Sequence, residues 1–262
     1  MRTPWHGSFE VPINTTAFWQ AGPYQLWLRR SAHEWKVASV QGADSLGRSL
    51  HVEVPSDRTD PPEAATVRRF AYKRSPGEVK LTPALADRPV VVSPEEPLHL
   101  PSKEQITVFI STPVWVELTL GDSPIALLDE PTHRPTDTWF GPSSMKGELC
   151  YATRTAARMN LDNVPARPHR VITVVEIRNR AKETLTVEKL KIPVTHQEVY
   201  ATEDGSLWTG TLTLEHHEEG EMATVRLGKG PPANARNAAL VRGPRSPMEA
   251  GLLTRAFGGF TS

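Results

Sequence analysis

The only cysteine of the chain lies in the stretch DTWFGPSSMKGELCYATRTAARM, Asp137 to Met159. A nucleophilic cysteine needs a base within reach and a depressed pKa, because the thiolate is the attacking species. His133 and His169 are the candidate bases, and Lys146, Arg154 and Arg158 are cations that would favour a thiolate if they converged on Cys150. These residues define one reading, a small hydrolase or transferase built on Cys150 with His133 or His169. A plainer reading stands beside it. Glu148, Cys150 and Ala152 alternate with Leu149, Tyr151 and Thr153 as in a strand, and an isolated cysteine is most often a small buried hydrophobe.

Ser143 and Lys146 have the S-x-x-K spacing of acyl enzymes in which a lysine one helical turn on deprotonates the serine. That geometry needs a helix, and Gly141-Pro142 before and Gly147 after leave room for about one turn. The companion S-D-N and K-T-G elements do not occur, so Ser143 reads as a loop serine. Metal chemistry has no anchor in H-x-H, H-E-x-x-H or H-x-x-x-H patterns. The densest ligand group, His216-His217-Glu218-Glu219, precedes Gly220 and reads as a solvated hairpin turn. No metal site is expected, and without a Gly-rich phosphate motif no cofactor is expected either.

Arg154, Arg158, Arg167, His169, Arg170, Arg178 and Arg180 make the middle of the chain locally basic. Brought together they could grip a phosphate or carboxylate bidentately, which makes a small anionic ligand a candidate partner. Asp162, Glu176, Glu183 and Glu188 are interleaved and would neutralise part of that charge. Trp19, Trp27, Trp35, Trp115 and Trp208 fall in or beside apolar strand patterns and read as core anchors. Trp139, in the turn-rich TWFGPSS, does not, and it joins Asp137, Arg154 and Arg158 as the candidate binding residues.

The elements that must position these groups are short. Twenty-four prolines cut the 262 residues into pieces, and a mid-helix proline costs about 3 kcal/mol, so long helices are nearly excluded. Between the prolines lie aromatic and β-branched runs at period two: Tyr24 to Arg29 with Glu34 to Val40, Gln105 to Ser111 with Val114 to Leu120, and Ser206 to His216 with Glu221 to Leu227. Arg170 to Asn179 and Leu185 to Leu190, around a polar turn, read as two antiparallel strands. The polar segment Ser45 to Pro62 reads as a loop. The predicted fold is therefore all-β, an antiparallel β-sandwich, in three parts: an N-terminal β-rich part over 1–100, a C-terminal sandwich over 101–227, and a flexible arm over 228–262. The arm carries a capping signature, Ser246-Pro247-Met248-Glu249, that predicts a short amphipathic helix ending at Gly258-Gly259. Its apolar face would dock on its own domain or on a second copy, making the arm a route to protein binding or self-association.

Thirty basic residues balance thirty acidic ones, so the overall charge points to no nucleic-acid partner. No apolar run approaches the ~20 residues of a membrane-spanning helix, so no membrane insertion is expected, and the start of the chain lacks a secretory h-region. A cytoplasmic location is the expectation.

Leu85 to Pro101, Ser111 to Leu118, Asp137 to Arg158, Pro168 to Asn179 and Leu207 to Gly210 together resemble a family of prokaryotic proteins catalogued as a domain of unknown function. The resemblance covers roughly residues 5 to 227. It implies an all-β cytosolic protein and carries over no activity, substrate or catalytic residue. Two functional readings follow, a non-catalytic binding or interaction protein and the cysteine-dependent enzyme.

Overall fold

Tyr24, Leu26 and Leu28 project to one side of the strand Tyr24–Arg30, where all three are buried in the main core. The alternate residue Trp27 projects to the other side and packs on Phe18 and Ala38 in a small separate cluster. That two-sided burial follows from the strand period of two, and it gives Trp27 an apolar neighbourhood outside the main core. In the computed structural model, which describes residues 4–141, 147–217, 222–247 and 253–258, this strand is the centre of a five-stranded antiparallel sheet. Its strands run in the order Leu50–Ser56, Thr16–Ala21, Tyr24–Arg30, Glu34–Gln41 and Thr66–Ala71.

The described residues form five sheets, of four, eight, five, two and five strands. Among the described residues helix is limited to three single 3₁₀ turns, at Leu161–Asn163, Val194–His196 and Ala233–Ala235. The all-β expectation therefore holds. A continuous apolar core runs from Trp5 in the first strand region to Phe257 near the end of the chain, through Trp35, Leu81, Ile110, Leu118, Val175, Ile177 and Leu190.

Pro113 lies at the corner between two sheets. Gln105–Pro113 pairs along its whole length with Arg170–Asn179 in the eight-stranded sheet, whereas Trp115–Leu120 pairs with Glu78–Ala84 and Leu128–Pro131 in the four-stranded one. The Arg170–Asn179 strand is fully committed: Gln105–Pro113 lies on one edge, and Leu207–Thr209 and then Leu212–His216 run parallel to it on the other. Buried on both faces, it reads as the near-continuous apolar run VITVV.

Four expectations are corrected. Arg170–Asn179 and the strands after it are not a hairpin: Leu185–Val187 pairs with Leu98–Leu100, and Lys189–Ile192 pairs with Val90–Pro94. The buried Asn179 side chain holds that turn, donating to Leu100 O at 2.9 Å and Glu183 O at 2.7 Å and accepting from Ala181 N at 3.0 Å. Secondly, Ser45 to Pro62 contains the strand Leu50–Ser56, whose Leu50, Val52 and Val54 alternate onto the core. Thirdly, the arm over its described residues is tied to the body of the protein: Ala239–Arg242 pairs with Val199–Ala201, and Arg245 forms a forked ion pair with Asp129 at 2.6 and 2.7 Å. Finally, Leu253–Arg255 and Phe257–Gly258 are strands where a helix was expected. Phe257, 1% exposed, is held in the core by the sheet, and burying it outweighs a helix of three turns that is marginal in water. Met248, Glu249 and Leu252 lie outside the described residues.

Candidate functional site

The residues singled out around the cysteine do not come together. Cys150 is fully buried beside Val91 and Phe140. Burial, reinforced by Glu148 and opposed by the Lys191 ammonium, pushes its thiol up to about 11. His169 is in a different neighbourhood, with its Nε2 donating to Ser45 O at 3.1 Å and its ring against Gly22. His133 lies close enough to His169 to disfavour its protonation.

Asp137 pairs through register with Tyr151 and forms ion pairs with Arg88 at 3.2 Å and Arg134 at 3.5 Å. Arg158, seven residues beyond Tyr151 on extended chain, pairs instead with Glu95 at 3.0 Å, so about 20 Å of strand separates the two. Trp139 is 46% exposed, across the hairpin from Leu149 at 43%. Ser143, Lys146, Glu218, Glu219 and the Arg154 side chain lie outside the described residues.

A different group does converge. The segment Pro165 to Arg170 leads into the central strand, and it is anchored by Trp5, whose Nε1 donates to Pro168 O at 2.7 Å. The loop after Glu34–Gln41 folds onto this segment through a turn centred on Asp44, whose Oδ1 accepts from Leu46 N at 2.9 Å. Two bonds clamp loop to segment: His169 Nε2 to Ser45 O at 3.1 Å and Arg167 Nε to Leu46 O at 3.1 Å. Close contact requires Gly22, at φ +58°, since a Cβ there would lie 2.0 Å from His169 Nδ1. The result is an open cleft of about 310 Å³ lined by Arg48, Arg167 and Arg170, with Leu50, Pro168, Ile172 and Leu207 as apolar wall and the turn Asp204 to Ser206 at its rim.

Arg170 is the unusual member. It is 5% exposed, yet among the described residues it has no carboxylate partner. Its Nε donates to Ser111 Oγ at 3.0 Å, and its Nη2 to Ser111 O and to the hydroxyls of Thr153 and Thr155. All four acceptors are neutral. Burial, with Arg167 beside it, pushes the guanidinium down to about 10, still protonated at neutral pH. Arg167 is depressed by burial and then by Arg48, with Asp44 acting the other way. The one acidic group among the described lining residues, Asp204, is taken up by its own turn: it accepts from Thr202 Oγ1, from Ser206 N at 3.0 Å and from Ser206 Oγ at 3.1 Å. Those bonds hold its carboxyl below the usual range and occupy its oxygens, so that among the described residues it makes no ion pair with the three arginines.

Arg167 and Arg170 belong to the basic stretch visible in the sequence. Arg48, Ser111 and Asp204 carried no such signal, because they reach the cleft from segments far away in the chain. A family model described as Protein of unknown function (DUF432) matches residues 5–261. The chain belongs to this family. The comparisons with curated proteins and with solved structures gave no match. No described helix is long and apolar enough to cross a membrane.

Proposed function

We propose that this member of the family is a non-catalytic binding protein whose ligand presents an oxyanion to the cleft of Arg48, Arg167 and Arg170. The observation that carries this reading is Arg170, a protonated guanidinium buried, among the described residues, against neutral acceptors only. Burying a charge is costly unless it is paired. A cation kept in that state beside two more arginines gains its missing partner when an anion enters, and a charge-assisted bond in a cleft of lowered dielectric is about twice as strong as a neutral one.

The cysteine-dependent alternative finds no comparable support. A thiol with a pKa near 11 has almost no thiolate at neutral pH. The described part of the arm is engaged on its own chain, which leaves self-association through it without support.

Calorimetric titration with sulfate in low-chloride buffer tests the reading. The parent protein should bind, with affinity falling as sodium chloride is raised. Arg170→Gln and Arg48→Gln should each weaken binding at least tenfold, while Arg69→Gln, which breaks a surface pair with Glu34 on another face, should not. Equal binding by all four proteins, or none by the parent, would sink it.

A further inference from the structure

We propose that the anion taken by this cleft is a small organic phosphate, a phosphomonoester bound as its dianion, in preference to a carboxylate or a phosphodiester. The inference rests on the anion-binding reading above and narrows it. Charge comes first: the lining holds Arg48, Arg167 and Arg170 against the carboxylate of Asp204, and Asp44 beside Arg167 offsets only part of the remainder, so the cleft keeps a net positive charge. A phosphomonoester carries about −1.5 to −2 at pH 7, whereas a carboxylate or a phosphodiester carries one negative charge.

Geometry points the same way. The guanidiniums arrive from separate places, Arg48 from the loop after Glu34–Gln41, Arg167 from the segment before the central strand, and Arg170 from that strand's first residue. A planar carboxylate is satisfied by the fork of one arginine. Three terminal oxygens on a tetrahedral centre can accept from three arginines approaching in different directions.

Size and polarity supply the organic part. At about 30 Å³ of liquid per water the cleft has room for roughly ten waters, about twice the heavy atoms of inorganic phosphate. The surplus is walled by Leu50, Pro165, Pro168, Ile172 and Leu207, which suit a ring or short aliphatic group and not a second charge.

The probes are phenyl phosphate, inorganic phosphate, benzoate and diethyl phosphate, titrated calorimetrically into the full chain. At pH 7.5 phenyl phosphate should bind at least tenfold tighter than each of the other three. Between pH 7.5 and pH 5 its affinity should fall about tenfold, because its second ionisation lies near 6. The groups facing the ligand do not imitate that fall. Arg48, Arg167 and Arg170 stay cationic, Asp204 is held ionised by its turn, and His169 behind the cleft stays neutral down to about 4. His133 beside it and Asp44 beside Arg167 are the other titratable groups near the cleft, and a proton added to either would favour the anion and not release it.

Loss of phenyl phosphate binding in both Arg170→Gln and the surface variant Arg48→Gln, each folded by circular dichroism, supports the assignment. If benzoate or diethyl phosphate binds as tightly as phenyl phosphate, with a flat pH profile, and Arg170→Gln abolishes both, the cleft is an anion site and the phosphate inference is overturned. If no probe binds, or binding survives both substitutions, the anion-binding reading falls with it.

Discussion

Arg170, His169 and Gly22 form a chain of dependence at the level of single side chains. Gly22 makes room for His169, His169 holds the loop at Ser45, and the loop delivers Arg48 to the cleft where Arg170 sits. Gly22→Ala should cost about 3 kcal/mol in urea unfolding, from a left-handed backbone without glycine and an overpacked imidazole. His169, pushed down to about 4 by burial, is neutral when folded, while the unfolded chain titrates near 6.5. Below that value the unfolded state binds a proton that the native state refuses, so stability is full above 6.5 and is lost as pH falls toward 4. Between pH 7 and pH 5 the loss from this residue should be about 2 kcal/mol, and His169→Gln should remove that slope in urea titrations at the two pH values. Cys150 should resist alkylation at pH 7.5 until the protein is denatured. Cys150→Ser should cost about 1–3 kcal/mol by placing a hydroxyl in an apolar site. Fast labelling of the native thiol would restore the cysteine reading.

The strands explain which of these residues could be read from sequence. Period-two alternation exposed Tyr24–Arg30 and Glu34–Gln41 as partners, and their register, Tyr24 opposite Gln41 through Arg30 opposite Trp35, is that of a local hairpin. Arg167 and Arg170 stood out as basic residues at the start of an apolar strand. Arg48 did not, because nothing local ties it to a segment more than a hundred residues away; the tie is made by bonds such as Arg167 to Leu46. The capping signature at Ser246 failed for the same physical reason. Local propensity is worth a few kcal/mol at most, and it competes with burial of Ala256 and Phe257 under the sheets. Deleting residues 239–262 removes Phe257, the Arg245–Asp129 pair and the cover of the Val199–Ala201 edge. The truncated chain should lose at least about 4 kcal/mol, since large core aromatics alone carry 3–5. Unchanged urea stability would mean that the arm is not part of the fold.

At the scale of the molecule, the sheets share one core, and the cleft forms where three of their connections meet: the Asp44 loop, the Pro165 to Arg170 segment and the Asp204 turn. Binding groups on connections held by a rigid scaffold are a common arrangement in β proteins. The net charge of zero is compatible with a strongly cationic site, because most other arginines are paired, Arg68 with Glu130, Arg178 with Glu176 and Glu215, and Arg242 with Glu117 among them. The composition therefore hid the arginine-lined cleft that the fold assembles. Tungstate is a tetrahedral oxyanion with a strong anomalous signal, and a crystal grown without sulfate or phosphate and soaked in it gives the most direct measurement. A single strong peak within hydrogen-bonding distance of Arg48, Arg167 and Arg170 is the expected result. An empty cleft, with tungstate bound only elsewhere on the surface, would contradict the account.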